Sequence, residues 1–245
     1  RVYKNFADDE RVIIPRVFKE YSTPRLLVQE YVEGIKLSDI EKIEEKGLDR
    51  RKISALGTEA FLSQILLHGF FQADPHPGNI FVLDNEHIAF IDFGEIGYLS
   101  EVRLAYVGEM LIAIAKNDPY RAMPVMRDMG ILEQLDDEED FTEAFAELVE
   151  SLYTSSIGSL DMKRMRSEIM EFAYRFHLKM PSYLTSLMKA LITVEGLGKK
   201  LDPQFDFREV ASPLAQKVYR ERLKPSNLGK FLRSRYYKEI EPLKK

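Results

Sequence analysis

Three polar residues stand at intervals that the surrounding apolar sequence does not explain: Asp74, Asn79 and Asp92. Asp74 and Asn79 lie five residues apart in a segment rich in proline and glycine, and Asp92 follows thirteen residues later, directly before Phe93-Gly94. A carboxylate and an amide oxygen suit Mg²⁺, which takes oxygen ligands and keeps several waters. A second carboxylate can orient an attacking hydroxyl or water. The set predicts phosphoryl transfer, with Asn79 and Asp92 at the metal and Asp74 at the nucleophile, although each residue alone is equally typical of a turn.

A β-hairpin is predicted between Asn79 and Asp92. Two short apolar runs, 80–83 and 88–91, are joined by the polar residues 84–87, a link of hairpin length. Such a hairpin returns Asp92 to the loop that carries Asp74. The order and spacing match the catalytic loop and metal loop of protein kinases.

The residues around this spacing resemble the UbiB family, atypical kinase-like proteins linked to ubiquinone biosynthesis. The resemblance lies in QADPHPGN (72–79), IDFG (91–94), LMKALITVEGLG (187–198) and LDP (201–203), and it covers nearly the whole chain. It implies an α+β, protein-kinase-like fold with a remnant β-rich N-lobe and a large, mostly helical C-lobe. It also implies ATP and Mg²⁺ as ligands, and a role in quinone or isoprenoid-lipid metabolism.

Composition excludes several other classes of protein. The 245 residues carry a net charge of −5, which argues against general nucleic-acid binding. The absence of cysteine excludes disulfides, thiolate metal sites and cysteine nucleophiles. No apolar window approaches the length of a membrane span, and no signal peptide is visible. Because the chain starts at Arg1 in the middle of a pattern, we expect it to be a piece of a longer protein.

Residues 1–33 are predicted to form strands, at 12–14, 16–21 and 26–32, which Glu33-Gly34 ends. In a kinase-like fold these are the last strands of the N-lobe and the hinge. The backbone groups of Glu30, Tyr31 and Val32 would then bind adenine. The strand pattern by itself favours a plain hairpin.

The N-lobe is predicted to be incomplete. No glycine-rich or alanine-rich phosphate loop precedes residue 30, no Lys–Glu pair can be assigned, and the Lys-x-Gly-Gln segment of the UbiB family is absent. We expect these parts upstream of Arg1, and therefore a weak or inactive catalyst in this chain alone.

The catalytic loop departs from that of protein kinases in two informative ways. Gln72-Ala73 replaces the usual His-Arg, so no arginine is present to pair with an activation-loop phosphate. His76 replaces the usual lysine and is a candidate contact to the γ-phosphate, with a charge that depends on pH. Gly94 is expected to give the backbone the freedom that brings Asp92 to the metal.

A helix is predicted to begin at Ser100, which leaves no room for a peptide-binding activation segment after Gly94. The expected phosphate acceptor is therefore a small molecule, a lipid or water. Helices are predicted at 36–46, 50–68, 100–116, 118–129, 137–155, 161–177, 182–195, 206–223 and 226–239. The second of these is expected to be buried and to hold the catalytic loop rigid, with His68 structural rather than catalytic. The expected domains are 1–33, 34–99 and 100–245.

Two charged stretches suggest further partners. Residues 133–150 contain nine acidic residues and no basic one, which favours a solvated helix over a metal site. Residues 208–245 contain eleven Lys or Arg against four Glu, interleaved with apolar residues. This pattern is typical of a solvated surface, and also of a helix on an anionic membrane. With the resemblance, it predicts a cytoplasmic protein at the inner face of a membrane, with nucleotide and an isoprenoid lipid or quinone precursor as partners.

Two other functions remain open. One is a small-molecule phosphotransferase of the aminoglycoside or choline kinase type, which shares the Asp-x4-Asn loop. The other is a non-catalytic, nucleotide-gated scaffold for lipid synthesis.

Overall fold

A computed structural model describes residues 1–132, 137–157 and 161–222, and it places short strands before a series of long helices. The strands are β1 (Val12–Ile13), β2 (Ile35–Lys36), β3 (Phe70–Gln72), β4 (Ile80–Val82), β5 (Ile88–Phe90) and β6 (Ile96–Tyr98). The helices are α1 (Val2–Asn5), α2 (Ile40–Glu45), α3 (Arg50–Leu66), α4 (Glu101–Ala115), α5 (Pro119–Asp128), α6 (Glu138–Ile157), α7 (Met162–Arg175), α8 (Ser182–Leu201) and α9 (Phe207–Arg222). The described residues divide into two compact units, residues 1–97 with 189–214, and residues 98–188 with 215–222. The domain boundaries expected at 34 and 100 stay a prediction.

The predicted hairpin before Asp92 is confirmed. Strands β4 and β5 pair antiparallel, with Ile80 opposite Phe90 and Val82 opposite Ile88. The turn includes Glu86 at a φ of 63°, a left-handed conformation that is common in tight turns. Strand β1 adds parallel to β5 and β2 adds antiparallel to β4, while β3 and β6 form a separate two-stranded sheet.

The sheet of the first unit packs on helices α2 and α3 around one apolar core. The buried members of this core are Val2, Phe6, Val12, Leu37, Ile43, Ile53, Ala60, Ile80, Val82, Ile88, Phe90 and Leu201. Helix α3 begins at Asp49, whose carboxylate accepts hydrogen bonds from the N–H groups of Arg51 and Lys52. Its buried residues lie on more than one face, as expected, and it packs against β3, the strand that leads into Asp74.

The strands predicted in residues 1–33 are mostly wrong. Residues 2–5 are helical, residues 19–21 form a 3-10 turn, and β1 keeps only two of its three predicted residues. A loose hairpin remains, in which Val17 forms an isolated bridge with Gln29. Leu26, Leu27 and Tyr31 are exposed. Regular strands need a partner sheet and a buried face. Among the described residues, the hairpin of 17–29 forms only isolated bridges and pairs with no neighbouring strand.

The second unit is built from helices α4 to α7, with α5 and α6 packed on α4. Its core contains a cluster of phenylalanine rings, in which Phe141 lies 5.0–5.8 Å, centroid to centroid, from Phe145, Phe172 and Phe176. The acidic residues of α6 lie on its surface, where Glu138 pairs with Arg127 and Asp140 with Arg175. Within the described residues no group of three or more acidic or histidine side chains could hold a metal ion.

The predicted helices correspond to α2 to α9, with ends shifted by up to six residues. Asp39 and Ser100 accept the capping hydrogen bonds from Lys42 and Arg103, and Gly130 follows α5 at a φ of 71°. The helix predicted at 226–239 lies outside the described residues. No described helix is both long enough and apolar enough to cross a lipid bilayer.

Candidate active site

The hairpin brings Asn79 and Asp92 into direct contact. The side-chain amide of Asn79 donates to Asp92 Oδ2 at 2.8 Å, and the backbone N–H of Ile91 donates to the Asn79 carbonyl at 3.1 Å. Asp92 Oδ1 accepts from the backbone N–H of Gly94 at 2.8 Å. Both oxygens of the Asp92 carboxylate are therefore held in place while the side chain remains exposed.

Gly94 has a different role from the one expected. Its φ lies outside the left-handed region, so the position does not need the special backbone freedom of glycine. A Cβ there would lie 3.2 Å from Asp92 Oδ1. Glycine is therefore explained by the close approach of the carboxylate to the backbone.

Asp74 is carried by a compact loop. The Asp74 carbonyl accepts from the N–H of His76 at 2.8 Å, and the His76 carbonyl accepts from the N–H of Asn79 at 3.0 Å. Pro75 is buried, whereas the side chain of Asp74 is 53% exposed. The loop therefore fixes the backbone and leaves the carboxylate accessible. Asp74 Oδ1 also lies 3.4 Å from the ammonium of Lys189.

Gln72 ties the two loops together, a role that the sequence did not reveal. Its buried side-chain amide donates to the Asp92 carbonyl at 2.5 Å, and its backbone N–H donates to Gln64 Oε1 of α3 at 3.1 Å. The N–H of Ala73 adds a bond of 2.9 Å to the Glu95 carbonyl. Helix α3, Asp74 and Asp92 are thus linked through buried backbone and amide groups. Gln64 Nε2 and Gln72 Oε1 remain buried without a hydrogen-bond partner among the described residues.

His76 is engaged within its own loop. Its Nδ1 accepts a hydrogen bond from the N–H of Gly78 at 3.1 Å and caps the 3-10 turn Pro77–Asn79. This bond leaves Nε2 as the ring nitrogen that is not engaged within the loop. The contact of His76 to the γ-phosphate stays a prediction.

The three residues predicted at adenine lie in the loose N-terminal hairpin. The N–H of Glu30 donates to the Arg16 carbonyl at 2.8 Å, the Glu30 carboxylate accepts from the Arg16 N–H at 3.1 Å, and Tyr31 is 88% exposed. Within the described residues no hydrogen bond or ion pair joins Glu30, Tyr31 or Val32 to the catalytic loop. Their adenine contact stays a prediction.

His68 packs edge-on against Phe6, with ring centroids 5.9 Å apart. Burial lowers the pKa of His68, and the nearby charge of Arg1 lowers it further. A neutral imidazole packed against an apolar core residue is consistent with the structural role expected for it.

The donor set fits magnesium. Asp92 supplies a carboxylate and Asn79 an amide oxygen, and the Asn79 amide N–H brings the two side chains together by donating to that carboxylate. Mg²⁺ is commonly held by one or two carboxylates together with substrate phosphates and water, so no larger cage of protein ligands is needed. The metal assignment rests on these two residues and stays a prediction.

Comparison with known proteins identifies the family of the chain. The ABC1 atypical kinase-like domain matches residues 1–126, and the UbiB helical domain matches residues 145–206. An uncharacterized protein of Synechocystis is 32% identical over 88% of this chain and 37% of its own length. A protein of Histophilus somni named probable protein kinase UbiB is 30% identical over 91% of this chain and 42% of its own length.

A solved structure shares the fold. The Mycobacterium tuberculosis protein Rv3197, determined in complex with erythromycin, is 17% identical with a TM-score of 0.54, over 82% of this chain and 51% of that one. Together with the matched kinase-like domain, this confirms the predicted α+β, protein-kinase-like fold. The chain spans about half or less of the length of these relatives.

Proposed function

Because the chain belongs to the UbiB family of ABC1 atypical kinase-like proteins, we propose that it binds Mg-ATP and transfers the γ-phosphoryl group. The observation that carries the proposal is the contact between Asn79 and Asp92, because Asn79 lies on the loop that presents the exposed carboxylate of Asp74. Bound magnesium would be held by Asn79 and Asp92, and it would neutralise charge on the phosphate oxygens.

Asp74 acts on the nucleophile in this proposal. It accepts the hydrogen bond, and then the proton, of the attacking hydroxyl or water. The bond from that oxygen to the γ-phosphorus forms as the bond to the β–γ bridging oxygen breaks, and ADP leaves. The half exposure of Asp74 allows an acceptor to reach it.

The acceptor is proposed to be a small molecule, a lipid or water. Only residues 95–100, which include β6 and the capping Ser100, separate Gly94 from the start of α4 at Glu101. That interval is too short for the long activation segment on which protein kinases bind peptide substrates. The name of the Histophilus relative describes that protein as a probable protein kinase, so the acceptor must be tested directly.

A role in quinone or isoprenoid-lipid metabolism at the inner face of a membrane is also proposed. It is supported by membership of the UbiB family and by the basic composition of residues 208–245. The helix predicted at 206–223 is present as α9. Vesicles with anionic lipid should bind the full-length protein more tightly than neutral vesicles, and equal binding would contradict the membrane proposal.

ATP turnover by the full-length protein tests the activity. ATP turnover by wild type and by Asp74→Asn is measured with each of three acceptors: water alone, isoprenoid alcohols and a generic protein substrate. Turnover that is lost in Asp74→Asn while Mg-ATP binding persists supports phosphoryl transfer. Equal turnover in both proteins would contradict the role of Asp74, and binding without turnover in wild type would favour the scaffold alternative.

A further inference from the structure

Lys189 of α8 lies against the catalytic carboxylate. Its ammonium is 3.4 Å from Asp74 Oδ1 and 3.6 Å from Glu95 Oε2, so it bridges the catalytic loop and the segment that follows the metal loop. Its side chain is half exposed, as are both carboxylates. An exposed ion pair of this kind adds little to stability, so stability does not account for a cation at this position.

The backbone that carries Lys189 is anchored within the same compact unit. The Gly198 carbonyl accepts from Ser54 Oγ at 3.4 Å, Asp202 pairs with Arg51 at 3.3 Å, and Leu201 is buried in the core. Val194 and Leu197 also line a small apolar cavity of about 20 Å³ that Pro75 helps to close. The part of α8 from Lys189 onward is therefore held against α3 and the catalytic loop.

The catalytic loop carries no fixed cation of its own. Protein kinases place a lysine two residues after the catalytic aspartate, whereas His76 occupies that position here. Its Nδ1 is already occupied by the hydrogen bond from the Gly78 N–H. A charged donor forms a shorter hydrogen bond to a phosphoryl oxygen, roughly twice as strong as that of a neutral donor.

We propose that Lys189 supplies the missing cation and contacts the transferred phosphoryl group. The inference rests on the proposed function and adds a catalytic residue to it. Before nucleotide binds, the ammonium bridges Asp74 of the catalytic loop and Glu95, which follows the metal loop. During transfer it donates to a γ-phosphoryl oxygen, while the bond to the β–γ bridging oxygen breaks and the acceptor proton passes to Asp74. The charge stabilises the transition state and takes no part in the proton balance.

Turnover of Mg-ATP by the full-length protein provides the test. Lys189→Met removes the charge and keeps the apolar stem, whereas Lys189→Arg keeps the charge. Lys200→Met is the matched control, because Lys200 is exposed on the same helix and the described structure gives its side chain no ion pair. For each variant, kcat, the KM for Mg-ATP and the melting temperature are measured.

We expect kcat of Lys189→Met to fall by about 10- to 100-fold. This is less than the roughly 100- to 1000-fold loss typical of a preorganised donor in a water-excluded site, because this site is half exposed. KM and melting temperature should change little, Lys189→Arg should recover a large part of kcat, and Lys200→Met should match wild type. A kcat within about twofold of wild type in Lys189→Met, or equal losses in the Met and Arg variants, would overturn the inference. If the Met variant does not fold, Lys189→Gln is judged by the same criteria. If wild type does not turn over Mg-ATP, the proposed function fails and this inference falls with it.

Discussion

Replacing Gly97 by alanine should destabilise the protein, because β6 packs directly on a buried ring. A Cβ at this position would lie closer than 3.0 Å to three atoms of the Phe71 ring. Phe71 is fully buried, and its ring meets that of Phe61 edge-on with centroids 6.4 Å apart. The ring therefore has little room to move away from an added methyl group.

The magnitude follows from two opposing effects. Overpacking of a buried site costs about 1–3 kcal/mol, and the loss of glycine freedom in the unfolded chain returns about 0.4–1 kcal/mol. The free energy of unfolding of Gly97→Ala should therefore fall by roughly 1–2 kcal/mol.

Gly57→Ala provides the control for this measurement. Gly57 lies inside α3 with no atom within 4 Å of the Cβ position, so alanine there should stabilise the helix by about 0.5–1 kcal/mol. Urea unfolding followed by circular dichroism compares both variants with wild type. Equal stability of Gly97→Ala and wild type, or equal losses in both variants, would refute the packing described for β6.

Two further predictions concern the surroundings of the site. Gln72→Met removes the donor to the Asp92 carbonyl, which is destabilising, and also removes the unpaired buried Oε1, which is stabilising. Each effect amounts to about 1–3 kcal/mol, so the free energy of unfolding should stay within about 1 kcal/mol of wild type. ATP turnover should nevertheless fall as Asp92 loses its tether, and unchanged turnover would argue against a positioning role for Gln72. Burial lowers the pKa of His68 below 6.5 in the native state, so the unfolded chain binds more protons below that pH and stability declines as the pH falls. His68→Leu should reduce the decline measured between about pH 7.5 and about pH 5.5, and an undiminished decline would contradict this assignment.

Local patterns of the sequence predicted the parts of the fold that depend on near neighbours. The hairpin of β4 and β5 followed from two apolar runs and a polar turn, and it is sufficient to join Asn79 to Asp92. The cap at Ser100 followed from residue type at a helix start. These features need no knowledge of distant contacts.

The N-terminal segment could not be predicted in the same way. Residues 16–32 have the composition of strands, but strand formation depends on pairing and on a buried face. Of the strands predicted in residues 1–33, the described structure forms a regular ladder only at β1, which joins β5 in parallel, and residues 16–32 keep isolated bridges. Composition carries no information about which of several candidate strands will find a partner.

The remaining parts of the site depend on contacts between residues far apart in the sequence. Lys189 stands within the stretch that resembles the UbiB helical region, but its approach to Asp74 depends on how α8 packs. Gln72 was visible as a departure from the kinase pattern, whereas its bond to the Asp92 carbonyl appears only once β3 and the metal loop are folded.

Binding of Mg-ATP to the full-length protein tests the central claim most directly, with wild type compared with Asp92→Asn. A ligand at a hundred times its dissociation constant adds about 2.7 kcal/mol to stability, which raises the melting temperature of a cooperative unit of about 150–250 residues by roughly 5–10 °C. We expect a magnesium-dependent rise in wild type that is lost in Asp92→Asn. No rise in wild type, or an equal rise in both proteins, would contradict a nucleotide site built on Asn79 and Asp92.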